Sequence, residues 1–240
     1  MNFKNSIPGI GFKDSFLIFG GASLLLILET KFLIPYLSRV TGWETVIFWF
    51  IVAGLGIFLP LLLIAYLLLN AEDKIKGRNI WKDRLRFGKL QLKDILIIVV
   101  SILVIGALSA LIMTIIEKIA GPSGNQPAFM EFKPLTADRY WILLIWLPYW
   151  ILNIMGEEIL WRGVLLPRQE VYFGKKTWMV NGFLWGVFHI AFGWKLMLTL
   201  LPILFVLPFA VQKTKNSWAG VIIHAAVNGP SFIAISFGLL

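Results

Sequence analysis

Residues 157–163 read Glu157-Glu158-Ile159-Leu160-Trp161-Arg162-Gly163, inside the apolar C-terminal half of a 240-residue chain. A charged carboxylate near the centre of a bilayer costs roughly 2.5 to 3.5 kcal/mol on insertion scales, so such a side chain faces a bundle interior, finds a partner or does chemistry. The rest of the chain makes the bilayer its solvent: 58% of residues are hydrophobic, 15% are charged and 11 are Trp. The mean hydropathy is +0.81. The predicted fold class is an all-α, polytopic transmembrane helical bundle.

Apolar runs able to cross about 30 Å of hydrocarbon at about 1.5 Å per residue occur near 15–36, 46–69, 95–116, 140–166, 177–194, 196–211 and 218–240. They predict about seven spans, six to eight. Glu29-Thr30-Lys31 interrupts the first, and the fifth and sixth are short enough for a re-entrant pair. Pro60, Pro148, Pro202, Pro208 and Pro230 fall inside apolar runs, where a membrane helix tolerates them if neighbours satisfy the freed carbonyls. No internal repeat stands out. The organisation expected is an N-terminal part, 1–139, of transmembrane helices with a basic cytoplasmic loop at 70–94, followed by a core at 140–240 that carries the intramembrane polar residues.

A formal charge of +9 would suggest nucleic acid in a soluble chain, but here the basic residues cluster in short loops, so no nucleic-acid partner is expected. With the N-terminus cytoplasmic, the inner segments hold 16 of the 22 Lys and Arg, including the eight from Lys74 to Lys93. This bias predicts a multi-pass protein of the cell membrane, or of the endoplasmic reticulum in a eukaryote, with an inner N-terminus and, for seven spans, an outer C-terminus. The first helix, which lacks a small-residue cleavage site, is read as retained. Trp81, Leu85, Phe87 and Leu90, spaced among the charges of 74–93, suit an amphipathic helix on an anionic inner leaflet, the alternative being an ordinary positive-inside loop. The absence of cysteine excludes disulfides, thiolate metal sites and thiol nucleophiles.

The chain has two histidines, His189 and His224, both in apolar segments. Counted at about 1.5 Å per residue from Arg168, Lys176 and Lys215, Glu157, His189 and His224 lie roughly 16, 20 and 14 Å deep. Three helices therefore bring them to one layer. Residues four apart share a helical face, so Arg162 is placed to neutralise Glu158, which leaves Glu157 pointing elsewhere. Trp185 with His189, and His224 with Asn228, are further pairs at this spacing. Gly156, Gly163, Gly182, Gly186, Gly220 and Gly229 flank these groups and permit close helix approach. The tryptophans Trp141, Trp146 and Trp150 are read as lipid-facing or interfacial packing.

In these motifs the chain resembles the CAAX protease and bacteriocin-processing membrane proteins, the Abi or type II CAAX protease family. Glu157 and Glu158 followed by Trp161, Arg162 and Gly163 match the first motif, Trp185 and His189 the second, and His224 and Asn228 the third; phenylalanine is more usual at Trp161 and Trp185. The likeness covers roughly residues 140–230. It implies intramembrane endopeptidase activity on a peptide or protein, lipidated or not, in a cytoplasm-facing cavity among membrane lipids.

In that chemistry Glu157 would accept the proton of a water also held by His189, while His224 and Asn228 would donate to the oxyanion, with Glu158, Arg162 and Trp185 as supports. No cofactor is favoured. Zinc on Glu157, His189 and His224 is the alternative, since two histidines and a glutamate form a known zinc set, although no H-E-x-x-H helix is present. Other readings are a catalytically silent immunity or adaptor protein and a proton-coupled carrier.

The charge partition yields a direct test of orientation in this cysteine-free chain. An impermeant thiol reagent applied to intact cells is expected to label Leu240→Cys and to spare Lys82→Cys. The opposite pattern inverts the topology.

Overall fold

The computed structural model describes residues 7–71, 78–121 and 127–238. It is an all-α bundle with no strand among those residues. Helix α1 spans Phe12–Thr41, α2 Thr45–Asn70, α3 Arg78–Arg84 and α4 Leu92–Ala120. Helix α5 occupies 142–173, with its middle turns, Glu158–Leu165, wound in the wider i→i+5 manner. Helix α6, Thr177–Phe188, runs into a 3-10 turn at His189–Phe192, and α7, Trp194–Thr214, and α8, Ser217–Ser236, complete the chain.

Six helical stretches are long and apolar enough to cross a membrane. The fourth, Ile142–Phe192, has 51 residues, about 75 Å if straight at about 1.5 Å per residue. It reverses at Gly174, whose φ of +57° glycine adopts without strain. Its two limbs, α5 and α6, are antiparallel: Trp185 meets Glu157, and four residues back on α6 Asn181 meets Trp161. Helix α8 also opposes α5, His224 meeting Glu158 and Asn228 meeting Asn153. The fourth pass is thus opposed by the fifth and the last, as expected of about seven crossings.

Apolar side chains cover the outside. On α4, Leu92, Leu96, Val100, Leu103, Leu111 and Ile119 are exposed, as a helix facing lipid requires. Tyr36, Trp43, Tyr140, Trp141 and Trp194 are exposed at one end of the bundle and Tyr66, Tyr172 and Trp218 at the other, forming two interfacial belts. Trp141 fits its expected interfacial place. The first run, weakened in sequence by Glu29-Thr30-Lys31, is one continuous helix with a widened turn at Glu29–Leu33. Thr30 Oγ1 donates to Leu26 O at 2.7 Å, and buried Glu29 lies over Gly56 of α2.

The segment 78–91 packs differently from an amphipathic helix on a leaflet. Trp81, Leu85, Phe87 and Leu90 turn toward the protein core: Trp81 meets Tyr66 at 5.5 Å and Phe87 meets Trp218 at 4.8 Å between ring centroids. The Leu85 and Arg86 carbonyls accept from the Ser217 hydroxyl and amide at 2.6 and 3.0 Å, so this segment caps α8. Arg86 and Lys215 both pair with Glu170 of α5, at 2.8 and 2.7 Å. Lys4, Lys74, Lys76 and Leu240 lie outside the described residues.

Without a hydrophobic drive between lipid-solvated helices, close packing depends on small residues. A Cβ on Gly182 of α6 would strike the Leu204 carbonyl of α7, and one on Gly156 of α5 would come within 2.6 Å of the Phe58 carbonyl of α2. Backbone cannot yield as a side chain can. Gly182→Ala is therefore expected to lower stability by about 1–3 kcal/mol. Gly106→Ala on α4, which meets nothing within 4 Å, should gain up to about 1 kcal/mol from helix propensity. Thermal unfolding of both variants in detergent checks the contrast.

Candidate active site

Helices α5, α6 and α8 bring Glu157, Glu158, Arg162, Trp185, His189, His224 and Asn228 into one hydrogen-bonded cluster. Glu157, Glu158 and Arg162 come from α5, Trp185 from α6, His189 from the 3-10 turn that follows it, and His224 and Asn228 from α8. Burial is nearly complete: 1% exposure for Glu157, 0% for Glu158 and Arg162, 7% for His189 and 3% for His224. Asn228 alone of the set is half-buried.

The two adjacent glutamates face different partners. Glu158 Oε1 accepts from Arg162 at 3.0 Å and from His224 Nδ1 at 2.9 Å. The guanidinium carbon lies 3.6 Å from the centre of the Trp185 ring, a desolvated cation–π contact of a kind worth about 2 kcal/mol. Glu157 Oε1 accepts from Asn153 Nδ2 at 2.8 Å, and its Oε2 accepts from Trp185 Nε1 at 2.5 Å. Trp185 thus touches both carboxylate systems, its face on Arg162 and its N–H on Glu157. Gly220 leaves the space that the Glu158 carboxylate fills.

Donor and acceptor rules fix every proton once Glu157 is an acceptor-only carboxylate. Asn153 must present its NH2 to Glu157, so its oxygen faces Asn228. Asn228 must then present its own NH2, which donates to Asn153 Oδ1 at 3.2 Å and to His224 Nε2 at 3.2 Å. His224 accepts at Nε2 and donates from Nδ1 to Glu158, which makes it the neutral tautomer. His189 donates from Nδ1 to the Trp185 carbonyl at 2.9 Å, so in the neutral imidazole its Nε2 carries the lone pair. That nitrogen stands 3.9 Å from Glu157 Oε2, too far for a direct hydrogen bond and near enough for both to hold one oxygen between them.

Glu157, Glu158, Arg162, Trp185, His189, His224 and Asn228 are therefore placed together. Asn153 escaped the sequence reading, although an asparagine four residues before Glu157 in an apolar run was the available signal. The zinc set does not fit as the side chains stand. His224 gives one nitrogen to Glu158 and the other to Asn228, and among the described residues no three His, Cys, Asp or Glu side chains gather as ligands would. The groove lined by Lys82, Phe87, Lys89, Met155, Trp218 and Ile222 lies on the far side of the site. Met155 and Ile222 are each two residues, about 200° around their helices, from Glu157 and His224.

Residues 139–229 match the family model of the Rce1-like, type II CAAX prenyl endopeptidases. The resemblance carried by the three motifs thus extends over the whole stretch from α5 to Asn228 and points to a protease. No curated protein and no solved structure matches the chain.

The partner sets predict unequal effects of two isosteric changes. Glu158→Gln strands a buried guanidinium and should cost roughly 3–5 kcal/mol of stability. Glu157→Gln alters neutral donors only and should cost about 0.5–1.5 kcal/mol. Unfolding of both purified variants is the measurement; equal losses would remove Arg162 from its assigned place.

Proposed function

We propose that this protein is an intramembrane endopeptidase in which Glu157 and His189 activate a water and the adjacent Glu158 holds the site together. The observation that carries the reading is the approach of Glu157 Oε2 and His189 Nε2, two acceptors 3.9 Å apart on separate helices, each fixed from behind. A water between them donates one hydrogen to each, which leaves its lone pairs free for a carbonyl carbon. As the new C–O bond forms, the proton passes to Glu157 and the carbonyl π pair moves onto oxygen. Collapse breaks the C–N bond, and the departing amine takes the proton from Glu157. The supports are rigid: Trp185 and Asn153 hold the carboxylate, and the Trp185 carbonyl holds the imidazole tautomer.

His224 and Asn228 are assigned to the carbonyl oxygen, Asn228 as the donor and His224, which accepts at Nε2 and gives its N–H to Glu158, as the group that holds the Asn228 amide. Both N–H groups of Asn228 are already engaged, so substrate must break one of those bonds. Asn228, the half-buried member, lies beyond His224 toward the outer end of α8, with half-buried Val227 beside it. We therefore place substrate access laterally, between α5 and α8, rather than from the cytoplasmic end. The substrate is a peptide segment that can enter hydrocarbon, lipidated or not, and the orientation has an inner N-terminus in the cell membrane. No step runs through a metal.

Cleavage of a peptide library by purified protein in detergent, with and without chelator, tests the mechanism. Glu157→Gln should abolish turnover, and chelation should leave the wild type unchanged. Zinc bound stoichiometrically and lost from both His189→Ala and His224→Ala would overturn the metal-free mechanism. A wild type no faster than Glu157→Gln would favour a silent membrane partner.

A further inference from the structure

The segment 78–91 leaves a space between itself and the helices on which it docks. A groove of about 670 Å³ opens there, within the roughly 300–1,000 Å³ of small-molecule sites. One wall is Lys82 with Phe87, Gly88, Lys89 and Leu90; the other is Met155 of α5 with Trp218 and Ile222 of α8. Trp218 and Ile222 are 40% and 37% exposed, and Phe87, Leu90 and Met155 are half-buried. Apolar side chains from three separate segments thus line one concavity, which a single ligand can occupy.

The groove runs from the interface into hydrocarbon. At its polar end Asn216 Nδ2 donates to the Gly88 carbonyl at 3.1 Å, so Lys89 stands beside the N-cap of α8, and the Phe87 amide donates to the Lys82 carbonyl at 3.0 Å, which keeps Lys82 at the same end. At its deep end the contacts of His224 with Glu158 and of Asn228 with Asn153 put Met155 opposite the stretch of α8 between those residues. That is about ten residues along α8 from Asn216, about 15 Å at about 1.5 Å per residue, half of a hydrocarbon core about 30 Å thick. Residues 78–93 hold six Lys and Arg against one acid, Asp83. Arg86 is taken up by Glu170, whereas Lys82 and Lys89 are exposed and have no ion-pair partner among the described residues.

We propose that this groove binds one anionic phospholipid, its phosphate held by Lys82 and Lys89 and one acyl chain laid along Phe87, Trp218 and Ile222 toward Met155. Length and charge argue together. A tail needs an apolar channel one leaflet deep, and an anionic headgroup is favoured where lysines stand at the membrane surface. A neutral lipid fits the same channel but gains nothing from the lysines. The spacing of apolar and basic residues in 78–91 then has an account: the apolar side chains wall the groove and the lysines face the headgroup. The site is separate from the Glu157–His189 pair, so the inference does not rest on the endopeptidase reading. A lipid seated there bridges the docked segment to α5 and α8, the helices that carry Glu158 and His224.

Native mass spectrometry of the full-length protein in detergent, titrated with phosphatidylglycerol or with phosphatidylcholine of the same chains, tests the site. One phosphatidylglycerol should be held about 30-fold more tightly than phosphatidylcholine, which at about 1.4 kcal/mol per tenfold is about 1 kcal/mol for each lysine. Lys82→Gln with Lys89→Gln should reduce that preference to about threefold or less. Lys31→Gln with Arg39→Gln, which removes two exposed cations from α1, should leave it intact. One equivalent of phosphatidylglycerol brominated along its chains should quench the part of the emission that Trp218→Phe removes. Equal retention of the two lipids by wild type, a preference that survives loss of Lys82 and Lys89, or an unquenched Trp218 would overturn the proposal. So would a lipid-free dimer, which gives the groove to a second copy, or one-for-one displacement of phosphatidylglycerol by a farnesylated peptide, which gives it to substrate.

Discussion

A guanidinium that water cannot reach is the constraint from which the rest of the site follows. Arg162 has no exposed surface, and an unpaired charge in that position would be prohibitive. Glu158 supplies the opposite charge and Trp185 supplies a π face. Once Trp185 lies flat on Arg162, its N–H edge is directed at Glu157. Once Glu158 is committed to Arg162, its shared oxygen also holds His224. One ion pair inside a single helix therefore orients side chains on α6 and on α8.

The sequence carried this pair because its signal is local. Glu158 and Arg162 are four apart, and so are Trp185 with His189 and His224 with Asn228; each is a relation within one helix that periodicity can express. The convergence of depths was legible for a similar reason, since hydrocarbon thickness ties residue count to height. Asn153 was equally local and was missed because a lone amide in an apolar run draws less notice than a charge. The antiparallel register of α5 with α6 and α8, the widened turns at Glu158–Leu165 and the docking of 78–91 depend on contacts between distant segments. Trp81, Leu85, Phe87 and Leu90 have the spacing of a membrane-surface face, yet they bury against protein, because an apolar stripe does not say whether lipid or protein covers it.

Two adjacent carboxylates of like charge are an awkward pair in a low dielectric, and the structure separates their surroundings. Glu158 is bound by two charge-bearing or charge-capable groups, whereas Glu157 receives only the neutral N–H groups of Asn153 and Trp185. Consecutive positions on a helix diverge by about 100°, which is enough to put a different neighbour helix in front of each. The chemistry that a glutamate can do is therefore decided by its partners, since the two side chains are identical.

The same network explains why the resting site is closed. Every motif side chain except Asn228 is almost wholly buried, and the acceptor at Glu157 fixes the amide of Asn153, which fixes Asn228, which fixes His224. Such a chain has one satisfied arrangement, and each member resists rotation because its neighbour would lose a bond in a place where water cannot replace it. Rigidity of this kind keeps two acceptors poised without mutual contact in a membrane. The weakest point of the chain is the pair of 3.2 Å bonds from Asn228, the longest in the network and the only ones made by a half-buried residue, so it is there that the resting structure gives first.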